Sequence, residues 1–342
     1  MITLDQVVSI NVELTTKCQA ACPRCSRNDW GYKTRTDFPI VETTADKWIK
    51  IFESAELPNL KRLVFNGNFG EPFITKDILK IIDYSIDKWP TVLLDFSTNG
   101  GVRTPAWWEA LGQRYSNKNL EIRFGIDGLA DTQELHRINV PYEKAIANAT
   151  AFIKGGGRAI WMFLLFKHNE HQLEEITALS KQLGFHNLKV KRNGKTGWVF
   201  TSDTDGYWIE PATIDIKRNV PAKPMVYAPD VRNNLDDFIS REKLWVKNGR
   251  TLDCFSASSK SIYLAGDGTV YPCCWLGQYP KTFHHTNFNQ VIGEANNNAI
   301  AVGLTKAVEW FNEVENSWTK KSMRDGMLAE CLGCTKDSFH EN

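Results

Sequence analysis

Between residues 8 and 192 the chain alternates two kinds of apolar pattern. Short runs with period-two or near-continuous apolar character predict strands at Val8–Leu14, Lys61–Asn66, Thr91–Thr98, Leu120–Asp127, Ala159–Phe166 and Asn187–Arg192. Helical spacing between them predicts helices over Thr44–Glu53, Lys76–Lys88, Pro105–Tyr115, Tyr142–Lys154 and Glu170–Leu183. Thr104 followed by Pro105 is a regular helix start, and Gly184 stands where a C-cap glycine would end the last helix. Repeated β/α units predict an α/β fold with a parallel sheet. Six strands are too few for a closed eight-stranded barrel, which leaves an open, partial barrel or a doubly wound sheet.

The two faces of these strands differ. Asn11 and Glu13 alternate with Val8, Ile10, Val12 and Leu14; Asp95, Ser97 and Asn99 alternate with Leu94 and Phe96. Glu121, Arg123 and Asp127 alternate with Leu120, Ile122, Phe124 and Ile126; Lys189 and Lys191 alternate with Leu188 and Val190. A parallel sheet packed on both sides reads as continuous apolar runs. These strands do not, so one face looks onto something polar. Either it lines a ligand-holding interior, or it buries ion pairs such as Arg123 with Glu121 or Asp127.

After Lys195 the pattern changes. Residues 196–250 are loop-rich, with Pro211, Pro221, Pro224 and Pro229. Ser261–Ala265 and Thr269–Pro272 flank the turn Gly266-Asp267-Gly268 and predict a hairpin. A helical stretch follows around Asn298–Ser317. The division expected is 1–195, a connecting segment 196–250, and a smaller domain 251–342.

Composition narrows the function classes. With 41 Lys+Arg against 40 Asp+Glu, the net charge of +1 gives no reason to expect nucleic-acid or membrane binding. No apolar run approaches the length of a membrane span, and Met1–Gln6 lacks the features of a signal peptide, so a cytoplasmic location is expected. The eight cysteines then read as metal ligands rather than disulfides.

Cys18, Cys22 and Cys25 lie in one short segment directly after the first strand. Pro23 disfavours the α conformation at Cys22, so the segment is a loop at the carboxyl edge of the sheet, where open α/β folds bind ligands. Three thiolates would leave one iron of a four-iron cluster open; zinc or inert thiols are the competing readings. Farther on, Cys254 and Cys273 frame the hairpin and Cys331-Leu-Gly-Cys334 adds a close pair. Four thiols make a closed set, for zinc or for a fully ligated iron–sulfur cluster, and spacing alone does not separate the two.

Cys-x3-Cys-x2-Cys after a first strand resembles the radical S-adenosylmethionine (radical SAM) superfamily. Further segments resemble it in order over residues 7–192: Gly70-Glu71-Pro72 after the second strand, Ser97-Thr98-Asn99-Gly100 at the end of the third, Ile126-Asp127-Gly128 at the end of the fourth, and His136-Arg137 beyond. Two positions depart from the pattern: Arg24 stands where an aromatic residue is usual, and Gly125 takes the small-residue position before Ile126.

The resemblance implies a partial (β/α)6 barrel in which Cys18, Cys22 and Cys25 hold a 4Fe-4S cluster. It implies that Gly70, Glu71 and Pro72 meet the SAM amino group, Ser97 and Asn99 the ribose, Asp127 and Arg137 the carboxylate end, and Leu165 the adenine. Cys-x13-Gly-x4-Cys followed by Cys-x2-Cys resembles the twitch domain, a shortened SPASM domain, an α+β unit containing a β-hairpin. That implies a second 4Fe-4S cluster on Cys254, Cys273, Cys331 and Cys334, with Cys274 spare.

The activity implied is reductive cleavage of SAM to a 5′-deoxyadenosyl radical, which takes hydrogen from an unactivated C–H bond. A reducing partner such as flavodoxin or ferredoxin would supply the electron. Lys191 and Arg123 on the polar face favour a small polar or anionic metabolite, with Glu13 or Glu121 as candidate bases. The nearness of Cys18 to the start of the chain disfavours a leader-dependent peptide maturase. Peptide crosslinking or epimerisation is the alternative, and a non-catalytic iron–sulfur electron carrier is the alternative of another class.

Overall fold

The computed structural model describes residues 2–23, 25–29, 33–36, 39–192, 197–200, 206–215, 220–221, 255–274, 276–277 and 297–309. All six predicted strands and five predicted helices are present. In chain order they are β1 (Ser9–Val12), α1 (Ala45–Phe52), β2 (Arg62–Phe65), α2 (Ile78–Lys88), β3 (Leu93–Thr98) and α3 (Pro105–Tyr115). There follow β4 (Leu120–Gly125), α4 (Tyr142–Lys154), β5 (Arg158–Leu165), α5 (Leu173–Gln182) and β6 (Asn187–Arg192), and then the hairpin β7 (Ser261–Leu264) and β8 (Val270–Tyr271). Boundaries move where local chemistry intervenes. The last predicted helix opens instead as a 3-10 turn over Glu170–Gln172. Gly184 ends it at φ +81°, as a left-handed C-cap requires. The predicted helix after Asn298 is broken by Gly303 into Ala299–Val302 and Leu304–Glu309, and its residues beyond 309 lie outside those described.

The chain forms two compact units, each built from separated stretches of sequence. One contains residues 1–12, 43–63 and 226–342. Here β1 pairs in parallel with β7, Ser9 opposite Ser261 and Val12 opposite Leu264. Strand β7 turns back antiparallel onto β8, with Tyr263 opposite Tyr271. Gly268 makes the turn at φ +89°. Helix α1 starts at Thr44, whose hydroxyl accepts from Lys47 N, and it buries Trp48, Ile51 and Phe52.

The other unit contains residues 13–42 and 64–225. Its parallel strands run β2-β3-β4-β5-β6, with β6 at an edge. The register places Asp95 opposite Glu121, Ser97 opposite Arg123, Arg123 opposite Ile160, and Leu164 opposite Lys191. The apolar face carries an aromatic column. Phe65 stacks on Phe96 at 4.1 Å, and Phe73, Trp108, Phe124 and Phe152 continue it under the helices. Helices α3 and α4 close over that column because Gly112 and Gly155 face each other. A Cβ on either would overlap a carbonyl oxygen of the opposite helix.

Candidate active site

The segment after β1 enters the second unit as a loop, and its backbone is tied at both ends. The Thr16 hydroxyl donates to the Pro39 carbonyl at 2.9 Å and accepts from Val41 N at 2.9 Å. Ala21 N donates to Ile138 O at 3.0 Å, and the Asn28 amide donates to Cys22 O at 3.2 Å. The guanidinium of buried Arg27 donates to the Thr16 carbonyl. The three thiols of Cys18, Cys22 and Cys25 are half-buried along this loop. Burial and the Glu71 charge push the Cys18 thiol well above its usual range, and Cys22 and Cys25 add to that. Among the described residues, no three His, Cys, Asp or Glu side chains close to the spacing of a metal-ligand set.

The Gly70-Glu71-Pro72 segment lies flush against this loop. Glu71 N donates to Lys17 O at 2.8 Å. A Cβ at Gly70 would overlap the Thr15 carbonyl, so only glycine fits. The Glu71 carboxylate is buried and accepts from Phe73 N, from the Thr98 hydroxyl at 2.8 Å and from Asn99 N at 2.8 Å. Burial outweighs these donors and pushes its carboxyl up to about 7. Pro72 is buried and opens a 3-10 turn capped by Glu71. The Asn99 side chain reaches back to the cysteine loop, where it meets both Gln19 and Cys18.

Asp127 is fully buried at the end of β4. Its carboxylate accepts from Leu164 N at 2.9 Å, contacts His136 Nδ1 at 2.8 Å, and accepts from Arg137 Nε at 2.5 Å. Burial opposes its charge, but Arg137, His136 and the Leu164 amide prevail and hold it at about 2. Arg137 bridges Asp127 and the Cys22 sulfur, and both raise its pKa against the effect of burial. A Cβ at Gly125 would crowd the Arg137 guanidinium, which accounts for the glycine there.

Phe166, just beyond β5, is within 4.7 Å of the His136 ring and packs on Ile209, Ile138 and Leu164. Residues 209–214 return to this edge. Pro211 bridges to Phe166, Lys167 pairs with Glu210 at 2.7 Å, and the Glu170 carboxylate accepts from Thr213 N at 2.5 Å and from Ile214 N at 3.3 Å.

No protein-family model matches the chain. Among curated proteins it is similar to the PqqA peptide cyclase of Gluconobacter oxydans, 21% identical over 191 residues, 56% of this chain and 51% of that protein. It is also similar to the PqqA peptide cyclase of Granulibacter bethesdensis, 19% identical over 199 residues, 58% of this chain and 50% of that protein. The chain thus spans about half the length of the curated relatives it matches. Among solved structures, Streptococcus suis SuiB bound to S-adenosylmethionine superposes with a TM-score of 0.56 at 14% identity, covering 96% of this chain and 72% of that one. For anSMEcpe with bound AdoMet the TM-score is 0.53 at 14% identity, covering 98% of this chain and 92% of that one. The fold is that of the radical SAM enzymes.

Within the radical SAM fold, the cysteine loop, Glu71, Asn99, Asp127 and Arg137 meet at one sheet edge, while other predicted residues are employed elsewhere. Glu13 is not a substrate-facing base. Its carboxylate accepts from Asn68 N at 2.6 Å, Phe69 N at 3.2 Å and Gly70 N at 2.8 Å, and so holds the turn that carries Gly70. Arg123 and Glu121 are likewise committed: Arg123 pairs with buried Asp95 at 2.7 Å and with Glu121 at 3.5 Å, and Glu121 pairs with Arg158 at 3.1 Å. The polar strand face therefore does bury ion pairs, with Asp95 rather than Asp127 as the partner of Arg123. Leu165 is fully buried with the parity of Trp161 and Phe163, so it packs in the core; half-buried Leu164 shares the face of Arg123. Ser97 is half-buried on that face, and Lys191 is exposed on edge strand β6.

Sequence reasoning missed Gln19 as a member of the site, and gave His136 no role of its own although it singled out the His136-Arg137 pair. Gln19 is adjacent to Cys18, and His136 to Arg137, which is the only signal either carries. In the first unit, Cys273 and Cys274 are half-buried just past β8, with Gly277 N donating to Cys273 O at 3.0 Å. Cys254, Cys331 and Cys334 lie outside the described residues. No described helix is long and apolar enough to cross a membrane.

Proposed function

We propose that the chain is a radical SAM enzyme that modifies a peptide or protein substrate. The observation that carries this reading is the placing of three thiols along one loop beside the Glu71–Asn99 and Asp127–Arg137 pairs, whose carboxylates are buried, at the carboxyl edge of a parallel sheet. The donor chemistry fits a four-iron cluster. Cys18, Cys22 and Cys25 would supply three soft ligands and would leave one iron open to SAM, while cationic Arg137 would offset their charge beside Cys22. When bound, cluster and SAM together supply reductive C–S cleavage and a 5′-deoxyadenosyl radical.

The remaining work belongs to the chain. Glu13 and Gly70 set the turn against the cysteine loop. Glu71 fixes the backbone of Asn99. Asp127 aims Arg137 toward the loop. Leu164, Ile138, Phe166 and Ile209 form an apolar wall that excludes water from this edge. Ser97 and Lys191 remain candidates for contact with the rest of SAM and with substrate.

A peptide is favoured over a small polar metabolite for three reasons. The curated relatives are named as PqqA peptide cyclases, and SuiB of the same fold has been solved with its precursor peptide SuiA. With Arg123 neutralised by Asp95, the cationic face that suggested a small anion is reduced to Lys189 and Lys191. A second 4Fe-4S cluster is proposed for Cys254, Cys273, Cys331 and Cys334 in residues 251–342, and a flavodoxin or ferredoxin as the electron source.

The test is electron paramagnetic resonance on the reconstituted, dithionite-reduced chain. A reduced four-iron component that changes on adding SAM, and that is lost in Cys18→Ala while any signal of the second cluster persists, supports the reading. A reduced spectrum in which no component responds to SAM identifies an electron carrier instead.

A further inference from the structure

The orientation of the Asn99 amide is set by the backbone. Gly101 N can only donate, and it points at the Asn99 carbonyl oxygen at 2.8 Å. The Gln19 side-chain amide donates to the same oxygen at 2.7 Å. Both lone-pair directions of Oδ1 are thereby used, and the NH2 end is turned to the other side. There its nitrogen lies 3.6 Å from Cys18 Sγ, within reach of an N–H···S hydrogen bond. Glu71 holds the other half of the residue, accepting from Asn99 N at 2.8 Å. The residue is buried. The two donors on Oδ1 fix which end of the amide meets the sulfur, and Glu71 fixes the backbone that carries it.

We infer that Asn99 is a positioning residue for the cluster, donating to the Cys18 sulfur and so raising the reduction potential of the cluster that Cys18 helps hold. The inference rests on the proposed cluster reading. A hydrogen bond to a ligating sulfur withdraws electron density from it and stabilises the reduced, more negative form. The three cysteines thus have unlike surroundings: a neutral amide on Cys18 and a guanidinium on Cys22. The role goes beyond the ribose contact that the family resemblance implies for Asn99. Gln19 serves it indirectly by keeping Oδ1 occupied.

The test is a redox titration of the reconstituted full chain followed by electron paramagnetic resonance. Variants Asn99→Ala and Asn99→Asp are compared with the wild type at equal iron and sulfide content. Asn99→Ala removes the donor. Asn99→Asp keeps an acceptor for Gly101 and Gln19 but sets an anionic oxygen against the sulfur. Both midpoints are expected to move negative, with Asp moving further than Ala. A tenfold change in the oxidised-to-reduced ratio at fixed potential corresponds to 59 mV for one electron. Unchanged midpoints in fully loaded variants overturn the inference.

A wild-type measurement covers variants that fail to load. In chain labelled with 15N at asparagine side chains, pulsed resonance of the reduced cluster should show a 15N coupling. Its absence also overturns the inference. A wild-type chain that holds no cluster at all overturns the reading beneath it, which is a distinguishable result.

Discussion

Glu71 and Asp127 are both buried carboxyls at one sheet edge, and their surroundings drive them in opposite directions. Asp127, held at about 2 by Arg137 and His136, contributes stability that is present above 3.8 and lost as pH falls toward 2. Glu71, pushed up to about 7 by burial, does the reverse. Its contribution is present below 4.5 and lost as pH rises to about 7, on the order of 3 kcal/mol in all. Urea unfolding of the apo chain should therefore show the wild type losing stability between pH 5 and 7 relative to Glu71→Gln. Parallel curves would show that the three donors on the carboxylate outweigh its burial.

At Gly70 the effect is steric. Gly70→Ala drives a methyl into the Thr15 carbonyl, and neither backbone can yield cheaply, so thermal denaturation should register a loss of about 3 kcal/mol. The glycine, the glutamate and the cysteines were legible as a pattern. The role of Glu13 was not, because its partners are backbone amides of residues 68–70 that no composition or periodicity marks. Leu165 was misplaced for a related reason: a one-residue difference in parity decides which side of the sheet a side chain takes.

At the scale of elements, the aromatic column and the glycine contact between α3 and α4 decide how the helices lie on the sheet. Phe96 is fully buried between Phe65 and Phe73. Phe96→Ala should cost about 3–5 kcal/mol, read as a lower urea midpoint. Gly112→Ala should cost about 1–3 kcal/mol by forcing α3 away from the Phe152 carbonyl.

The six sheet strands and five packing helices of residues 8–192 could be read from hydrophobic period, because each buries one face against a layer of the other kind, whereas the short pairing of Asn28–Asp29 with Lys33–Thr34 and the one-turn helix Gln133–His136 are too short to carry a period. The pairing of β7 with β1 could not. It joins segments some 250 residues apart, with Ser9 opposite Ser261, and period-two alternation carries no information about partners. Nor could the return of Ile209 and Pro211 to Phe166, which arises within a proline-rich stretch without clear periodicity.

For the whole molecule, the cysteines divide into two groups with separate assignments. If each holds a four-iron cluster, the wild type binds about eight iron atoms per chain, and a chain with Cys18, Cys22 and Cys25 all replaced by alanine keeps about four. Zinc retained at one per chain in that variant would replace the second cluster with a structural metal site. The central claim is that the first group, with the residues gathered around it, cleaves SAM. The most direct measurement is quantitation of 5′-deoxyadenosine after anaerobic incubation of reconstituted chain with dithionite and SAM. Release is expected from the wild type, and none above background from Cys18→Ala carrying an intact second metal site. Equal amounts from both, or none from a wild type with its full complement of iron, would contradict the claim.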